Sequence, residues 1–170
     1  MPSGLTVVLT GFGVALAIAS SLLELRPILV WNATASAPLG LYSITPVTEL
    51  QAGDLVLVQP DPASAALYAV RGYLPLGVPL LKRVGALGGM RVCEHGGIVT
   101  IEGRQVANAL STDGRERPMT SWSGCRALSG GEFFALNADV PTSLDGRYFG
   151  PSQLSSVIGR AIPVWTVKER

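Results

Sequence analysis

Histidine occurs once in this sequence and cysteine only twice, which leaves few side chains for a metal site or a histidine-based triad. A triad would have to use His95, which lies in the polar stretch Cys93–Gly97 and is interpreted as a solvated turn residue. A zinc site from Cys93, His95 and Cys125 would lack the closely spaced cysteine or histidine pairs of zinc motifs. We therefore expect neither a metal nor another cofactor.

Charged residues are also scarce. They make up 15% of the 170 residues and nearly cancel, giving a formal net charge of +1. Nucleic-acid binding needs clustered basic residues, so no nucleic-acid partner is expected. Hydrophobic residues make up 48% of the chain, which argues against disorder, and 20 glycines with 12 prolines indicate a turn-rich fold. We predict a mostly β, antiparallel fold with few short helices.

No charged residue occurs between Leu5 and Leu23. About 20 apolar residues in a helix span roughly 30 Å, the thickness of a bilayer core, so this run predicts one N-terminal transmembrane helix. A cleaved secretory signal is the alternative, because Ala17–Ala19 offers small residues at a suitable spacing. The lack of a basic residue before the run favours an uncleaved anchor over residues 1–25, followed by a single domain over residues 26–170.

Short apolar and alternating runs predict the strands of that domain, at 41–44, 55–59, 80–84, 97–101, 104–107, 132–136 and 157–167. Asp61 as a cap and Pro62 in the first turn predict a helix over 63–71, with Leu67 and Val70 on its apolar face.

Lys82 shares one face of its predicted strand with Leu80 and Val84, because side chains alternate between the two faces of a strand. A lysine between two aliphatic residues is either a gatekeeper on an edge strand or a partly desolvated functional lysine. A free lysine titrates near 10.4, so desolvation would have to lower its pKa before it could accept a proton near neutral pH.

Ser36 closely follows the apolar run and precedes Pro38, which restricts the backbone, and Gly40, which permits a bend. A serine on a stiff, exposed turn suits a nucleophile, although the same pattern is typical of an ordinary loop. The interpretation depends on two later segments, Leu80–Val84 and Ser143–Pro151.

Several segments in chain order together resemble one family; they are Ser36–Tyr42, Gly53–Val56, Arg71–Pro75, Leu81–Arg83 and Asp145–Pro151. They resemble the type I signal peptidases, and most closely the TraF-type peptidases of conjugative transfer systems. The sequence departs from the family at Gly146, where a serine is usual, and at Gly88–Met90, where many members have Pro-Gly-Asp.

The resemblance implies a serine–lysine dyad, with Ser36 as the nucleophile and Lys82 as the general base. It also implies that Thr34 joins the oxyanion hole with the backbone N–H of the nucleophile. Ser143 matches a serine that orients the lysine. Three charged residues are expected to brace the site, as an Asp145–Arg147 ion pair that Arg83 shares.

The family also implies a location and a substrate. The domain is expected to face the periplasm from the bacterial inner membrane, and Cys93 and Cys125 are expected to form a disulfide in that oxidising compartment. The substrate would be an exported precursor with small residues before the cleaved bond, bound by strand addition. In TraF-type enzymes it is a pilin precursor, which some members also cyclise.

Two other classes of protein compete with the peptidase. A catalytically idle pilus-assembly protein would keep the fold and only bind, although it would have no need of both Ser36 and Lys82. A soluble serine–lysine autoprotease that represses transcription is disfavoured by the apolar N-terminal run and by the lack of a DNA-binding helix pair.

Overall fold

The protein is described here by a computed structural model that covers residues 4–22, 28–119 and 121–167. Within these ranges the three α-helices are α1 (Gly4–Leu22), α2 (Pro62–Val70) and α3 (Gly146–Phe149). The strands are β1 (Leu29–Asn32), β2 (Gly40–Thr45), β3 (Leu55–Val58), β4 (Leu80–Leu87), β5 (Arg91–His95), β6 (Ile98–Ile101), β7 (Arg104–Asn108), β8 (Gly124–Ala127), β9 (Glu132–Ala135), β10 (Ser152–Gln153) and β11 (Val157–Thr166). A short 3₁₀ helix, Leu154–Ser156, precedes β11.

Seven strands in the described part of the chain form the larger sheet, in the order β1-β2-β11-β3-β4-β9-β10, and these strands pair antiparallel. In its centre β4 pairs with β3 on one side, where Lys82 faces Val56, and with β9 on the other. β11 is long enough to pair with both β2 and β3, and its register shifts between Pro163 and Trp165. Proline has no N–H for the ladder, which explains a break at this point.

The smaller sheet, as far as the described residues show it, has four antiparallel strands in the order β7-β6-β5-β8. The turn that joins β6 to β7 contains Glu102 and Gly103, both with positive φ. The polar turn predicted around His95 is wrong, because Cys93 and His95 belong to β5 and the turn is confined to Gly96 and Gly97. A two-glycine turn leaves the residues before it free to pair as a strand.

Among the described residues, buried side chains form three apolar clusters, and the first of these joins the two sheets. The first joins the smaller sheet to β4 and β9 through Ala86, Val92, Val99, Ile101, Leu128, Phe134 and Leu136. The second lies on one side of the larger sheet and consists of Ala37, Tyr42, Ile44, Leu57, Leu81 and Ala161. The third consists of Val56, Val58, Val84, Phe133 and Ala135. Because clusters cover both faces of β4, this strand is enclosed, and the predicted mostly β, antiparallel fold is confirmed.

Helix α2 begins as predicted, with the Asp61 carboxylate accepting hydrogen bonds from the backbone N–H groups of Ala63 and Ser64 at 3.0 Å each. The predicted apolar face is wrong at Val70, which is 86% exposed. The helix instead buries Ser64 and Tyr68, so the Tyr68 ring faces the interior of the domain.

Helix α1 contains 19 residues, and its apolar side chains that are described are exposed, for example those of Leu5, Val8 and Phe12. Counted over the described residues alone, no helix reaches the length and apolarity that crossing a membrane requires. The predicted boundary between an anchor over residues 1–25 and a domain over 26–170 falls outside the described residues.

Candidate active site

Ser36 lies in the loop that joins β1 to β2, and Asn32 at the end of β1 organises this loop. The buried Asn32 amide donates to the carbonyl oxygens of Thr34 and Ala37 at 2.9 Å and of Pro38 at 3.1 Å. Its Oδ1 accepts from the backbone N–H of Thr34 at 3.1 Å. Asparagine side chains favour such local bonds, and here one side chain closes the whole turn around Ser36.

The hydroxyl of Thr34 contacts the hydroxyl of Ser36. Thr34 Oγ1 donates to Asn32 Oδ1 at 2.8 Å and lies 3.2 Å from Ser36 Oγ. Since a hydroxyl carries a single proton, Ser36 is the donor in the second contact. Within residues 28–119 and 121–167, the backbone N–H of Ser36 makes no hydrogen bond and is available to a ligand.

Lys82 is buried in the middle of the larger sheet, with 3% of its surface exposed. β4 has a neighbour on each side, so Lys82 is not an edge-strand gatekeeper. Its Nζ donates a hydrogen bond to Ser143 Oγ at 2.9 Å. The amine is thus held in one direction by a residue that comes much later in the chain.

Burial also changes the acidity of this lysine. Desolvation lowers the pKa of Lys82 to about 8; the negative charge of Asp145 partly opposes the shift, and the positive charge of Arg147 reinforces it. An ammonium group loses hydration when it is buried, and the neutral amine does not bear this cost. A substantial fraction of Lys82 is therefore neutral just above neutral pH.

The loop that carries Ser143 is shaped by a buried ion pair. Arg147 Nε lies 2.9 Å from Asp145 Oδ1, and both side chains are almost fully buried. The same guanidinium donates to the carbonyl oxygens of Asn137, Val140 and Pro141 at 2.7 to 3.1 Å. These bonds satisfy the buried charges and fix the chain just before Ser143.

Arg83 takes no part in that ion pair, so the expectation that it shares the pair is corrected. Its side chain is exposed and donates to the carbonyl oxygen of Gly53 at 3.1 Å. Side chains alternate along β4, and Arg83 therefore points away from the face that Lys82 occupies.

Ser36, Lys82 and Ser143 line one cavity of about 200 Å³, together with Thr34 and Tyr68. A second, larger cavity of about 680 Å³ also reaches Lys82 and shares Tyr68 with the first. The fold thus brings together three residues that are far apart in the sequence, and Lys82 can be approached from two sides.

Gly146 is enclosed by its neighbours. A Cβ atom added there would lie 2.7 Å from the carbonyl oxygen of Ala135 and 2.7 Å from Phe134 Cε2. Such distances require the neighbours to move. The Gly146 carbonyl oxygen accepts a hydrogen bond from Trp122 Nε1 at 2.8 Å, which ties the site loop to the loop before β8.

Cys93 and Cys125 are joined by a disulfide between the directly opposed residues of β5 and β8. His95 lies close by, with Nε2 3.4 Å from Cys125 Sγ. The three residues place potential ligand atoms within 4.8 Å of one another. Metal ligation by cysteine needs a thiolate, and both sulfurs are engaged in the disulfide.

Two asparagines of this site were missed by the sequence analysis. Asn32 has a local signal, because an asparagine side chain in a turn commonly bonds the backbone two residues further on. Asn137 has none. It follows β9, and its amide donates to the carbonyl oxygens of Ser36 and Leu81.

These features define a protein of the signal peptidase class: a family model for signal peptidase, peptidase S26, matches residues 3–166, and the chain belongs to this family. The probable conjugal transfer protein TraF of Sinorhizobium fredii is 39% identical over 145 residues, covering 79% of this chain and 76% of that protein. The conjugal transfer protein TraF of Agrobacterium fabrum is 37% identical over 145 residues, covering 79% of this chain and 81% of that protein.

Among solved structures, a signal peptidase I from Enterococcus faecalis matches 67% of this chain and 97% of its own, with 21% identity and a TM-score of 0.39. The predicted membership of the signal peptidases is confirmed by the family match and by the TraF relatives. The family suggests a serine peptidase that acts on a precursor protein.

Proposed function

We propose that the protein is a serine endopeptidase with a Ser36–Lys82 dyad, which removes signal or propeptide segments from exported precursors. The observation that carries this proposal is that Ser36, Lys82 and Ser143 line the same cavity. Burial lowers the pKa of Lys82 to about 8, which supports its use as a base. The hydrogen bond to Ser143 gives the amine its direction.

In the proposed reaction, the Ser36 hydroxyl first turns its proton from Thr34 Oγ1 towards Lys82. Ser36 Oγ then attacks the scissile carbonyl carbon while neutral Lys82 takes that proton. The tetrahedral intermediate then collapses, and Lys82 gives the proton to the leaving amine. This amine is the segment after the cleaved bond, and the segment before the bond stays on Ser36 as an ester. Water next attacks that ester while Lys82 takes one of its protons; the bound segment leaves as a carboxylic acid, and Lys82 returns the proton to Ser36 Oγ. The serine oxygen and the amine both return to their starting states.

The oxyanion of the intermediate would accept a hydrogen bond from the backbone N–H of Ser36. This N–H has no other acceptor in the described part of the chain. Thr34 can add a second donor only if its proton leaves Asn32 Oδ1, where it is bonded at 2.8 Å. We propose that the hydroxyl turns in this way as negative charge develops on the oxyanion. One such donor is typically worth about 3 kcal/mol of transition-state stabilisation.

We propose an extended precursor as the substrate, with small residues before the cleaved bond. The strand would pass the cavity of about 200 Å³ that Ser36, Lys82 and Ser143 line. The relatives are named as conjugal transfer proteins, and we extend that role to this chain as maturation of a pilin precursor in a conjugation system, with cyclisation of the product as an optional second step.

We further propose that the enzyme is anchored in the bacterial inner membrane with its catalytic domain in the periplasm. Residues 5–23 carry no charge. Near the Ser36 loop, the apolar surface includes Leu29, Trp31 and Trp165, which are 57%, 58% and 56% exposed, and the two indole rings stack with centroids 5.7 Å apart. Tryptophan favours the membrane interface, so this surface would rest on the lipid headgroups.

The proposal is tested by mass spectrometry of a pilin precursor that has small residues before the expected cleavage site and is co-expressed with the protein. Wild type should shorten the precursor at one position, and Ser36→Ala should leave it intact. Ser111→Ala, which changes an exposed serine in the loop before β8, is the matched control and should process normally. An intact precursor with wild type, or equal processing by Ser36→Ala, would contradict the peptidase and favour a binding role.

A further inference from the structure

We propose that Asn137 is the positioning residue of this site and sets the distance between Ser36 and Lys82. The inference rests on the proposed serine–lysine peptidase and assigns to Asn137 a role in that site. It begins from the position of this residue, which is 5% exposed and lies two positions after the end of β9.

The Asn137 side chain extends the ladder between β9 and β4. The last backbone bond of this ladder runs from the N–H of Leu136 to the carbonyl oxygen of Arg83 at 2.9 Å. One step further, Asn137 Oδ1 accepts from the N–H of Arg83 at 2.8 Å, and Nδ2 donates to the carbonyl oxygen of Leu81 at 3.2 Å. The amide thus takes the place of a strand peptide group and holds both neighbours of Lys82.

The same amide reaches the nucleophile. Nδ2 also donates to the carbonyl oxygen of Ser36, which is 101 positions away in the sequence. The two protons of this amide therefore link the Ser36 loop to β4, two segments that are far apart in the sequence. Because an amide group is planar and short, the loop and the strand cannot move apart without breaking one of these bonds.

The backbone of Asn137 is held by the buried ion pair. Its N–H donates to Asp145 Oδ2 at 3.0 Å, and its carbonyl oxygen accepts from Arg147 Nη2 at 2.9 Å. Both ends of the residue are fixed, so its side chain is a rigid link. Asp145 and Arg147 accordingly act on the dyad through Asn137.

Alignment of nucleophile and base is sensitive to small displacements, and a shift of about 1 Å can cost roughly 100-fold in rate. We expect Asn137→Leu, which removes the amide at similar side-chain volume, to lower kcat about 10- to 100-fold with little change in KM. Asn137→Asp keeps an acceptor for Arg83 and loses the donation to Ser36, so it should lower kcat as well. Asn108→Leu, at an exposed asparagine of β7, is the control and should match wild type.

A second readout needs no substrate. The backbone amide signal of Ser36 is followed by NMR from pH 6 to 10 in a uniformly labelled protein. In wild type and Asn108→Leu it should titrate with Lys82, whose pKa is about 8, because the loop is tied to β4. In the Asn137 variants this titration should be lost or reduced at least 2-fold in amplitude, while the thermal melt remains cooperative.

The outcomes separate this inference from the proposed function. If wild type cleaves no precursor but the Ser36 titration depends on Asn137, the peptidase proposal fails and the link stands. If wild type cleaves and folded Asn137→Leu and Asn137→Asp keep kcat within about 2-fold, or the Ser36 titration persists in them, the role of Asn137 is wrong.

Discussion

Lys82 Nζ donates a hydrogen bond to Ser143 Oγ at 2.9 Å, although the two residues are 61 positions apart. A serine hydroxyl can accept from an amine in either protonation state, so this bond holds Lys82 whether the amine is charged or neutral. Ser143 in turn follows the turn that the Asp145–Arg147 pair fixes. The direction of the Lys82 amine is therefore set by a loop that is remote in sequence.

The first prediction concerns pH. Lys82 must be neutral to accept a proton, and its pKa is about 8, so kcat/KM should rise with pH through an apparent pKa near 8 and then level off. The sequence contains two lysines, Lys82 and Lys168, so lysine-selective isotope labelling gives two side-chain signals in an NMR titration. Lys168→Met removes one of them and so identifies the signal of Lys82. An ascending limb at 10 or above would identify Lys82 as a structural cation.

The second prediction concerns stability. Below pH 8 Lys82 is charged in both the folded and the unfolded protein, and burial of the ammonium group destabilises the folded state. The pKa of Lys82 is about 8 in the folded protein and about 10.4 in the unfolded chain, a difference that corresponds to about 3 kcal/mol. Lys82→Met should thus be at least as stable as wild type at pH 7 in urea unfolding. Between pH 8 and about 10.4 the unfolded state binds more protons, so wild type should gain stability and the two should converge. A Met variant several kcal/mol less stable at pH 7 would contradict this.

The third prediction concerns Gly146, the glycine of the site loop. Gly146→Ser should lower the free energy of unfolding by about 1–3 kcal/mol, because the added atoms overlap Ala135 and Phe134. Gly114→Ser, at a position with no atom within 4 Å of an added Cβ, is the control and should change stability much less. Equal stability of Gly146→Ser and wild type would mean that the site loop is looser than described.

The fourth prediction concerns Cys93 and Cys125. Closing a chain segment with a sequence separation of 32 should stabilise the domain by about 3–4 kcal/mol in the chain-entropy treatment. Protein purified from the membrane fraction should resist alkylation unless it is reduced, and reduction should lower its melting temperature. Two alkylated cysteines without reductant would contradict both the disulfide and the proposed orientation.

The local sequence pattern was sufficient to predict that Lys82 lies on a strand and that α2 begins with a cap. Alternation between Leu80 and Val84 places the lysine on a strand, and Asp61 with Pro62 marks the helix start. Alternation gives no strand order, however. That β4 lies between β3 and β9, which excludes a gatekeeper role for Lys82, follows only from the pairing of distant segments.

The role of Asn137 could not be predicted, because it depends on contacts with Leu81 and Ser36, 56 and 101 positions away. Val70 was assigned to a buried face on hydrophobicity alone, and the neighbouring elements leave it exposed. In each case the tertiary arrangement decided what the side chain contacts.

The central claim is that Ser36 and Lys82 act as one unit, and a double-mutant cycle on kcat tests it most directly. Wild type, Ser36→Ala, Lys82→Met and the double variant are assayed on one small-residue precursor peptide at pH 9, each with its folded fraction measured. Each single variant should lose nearly all activity, and the double variant should be no slower than either single one. Losses that multiply in the double variant, or a single variant that retains substantial cleavage, would contradict the dyad.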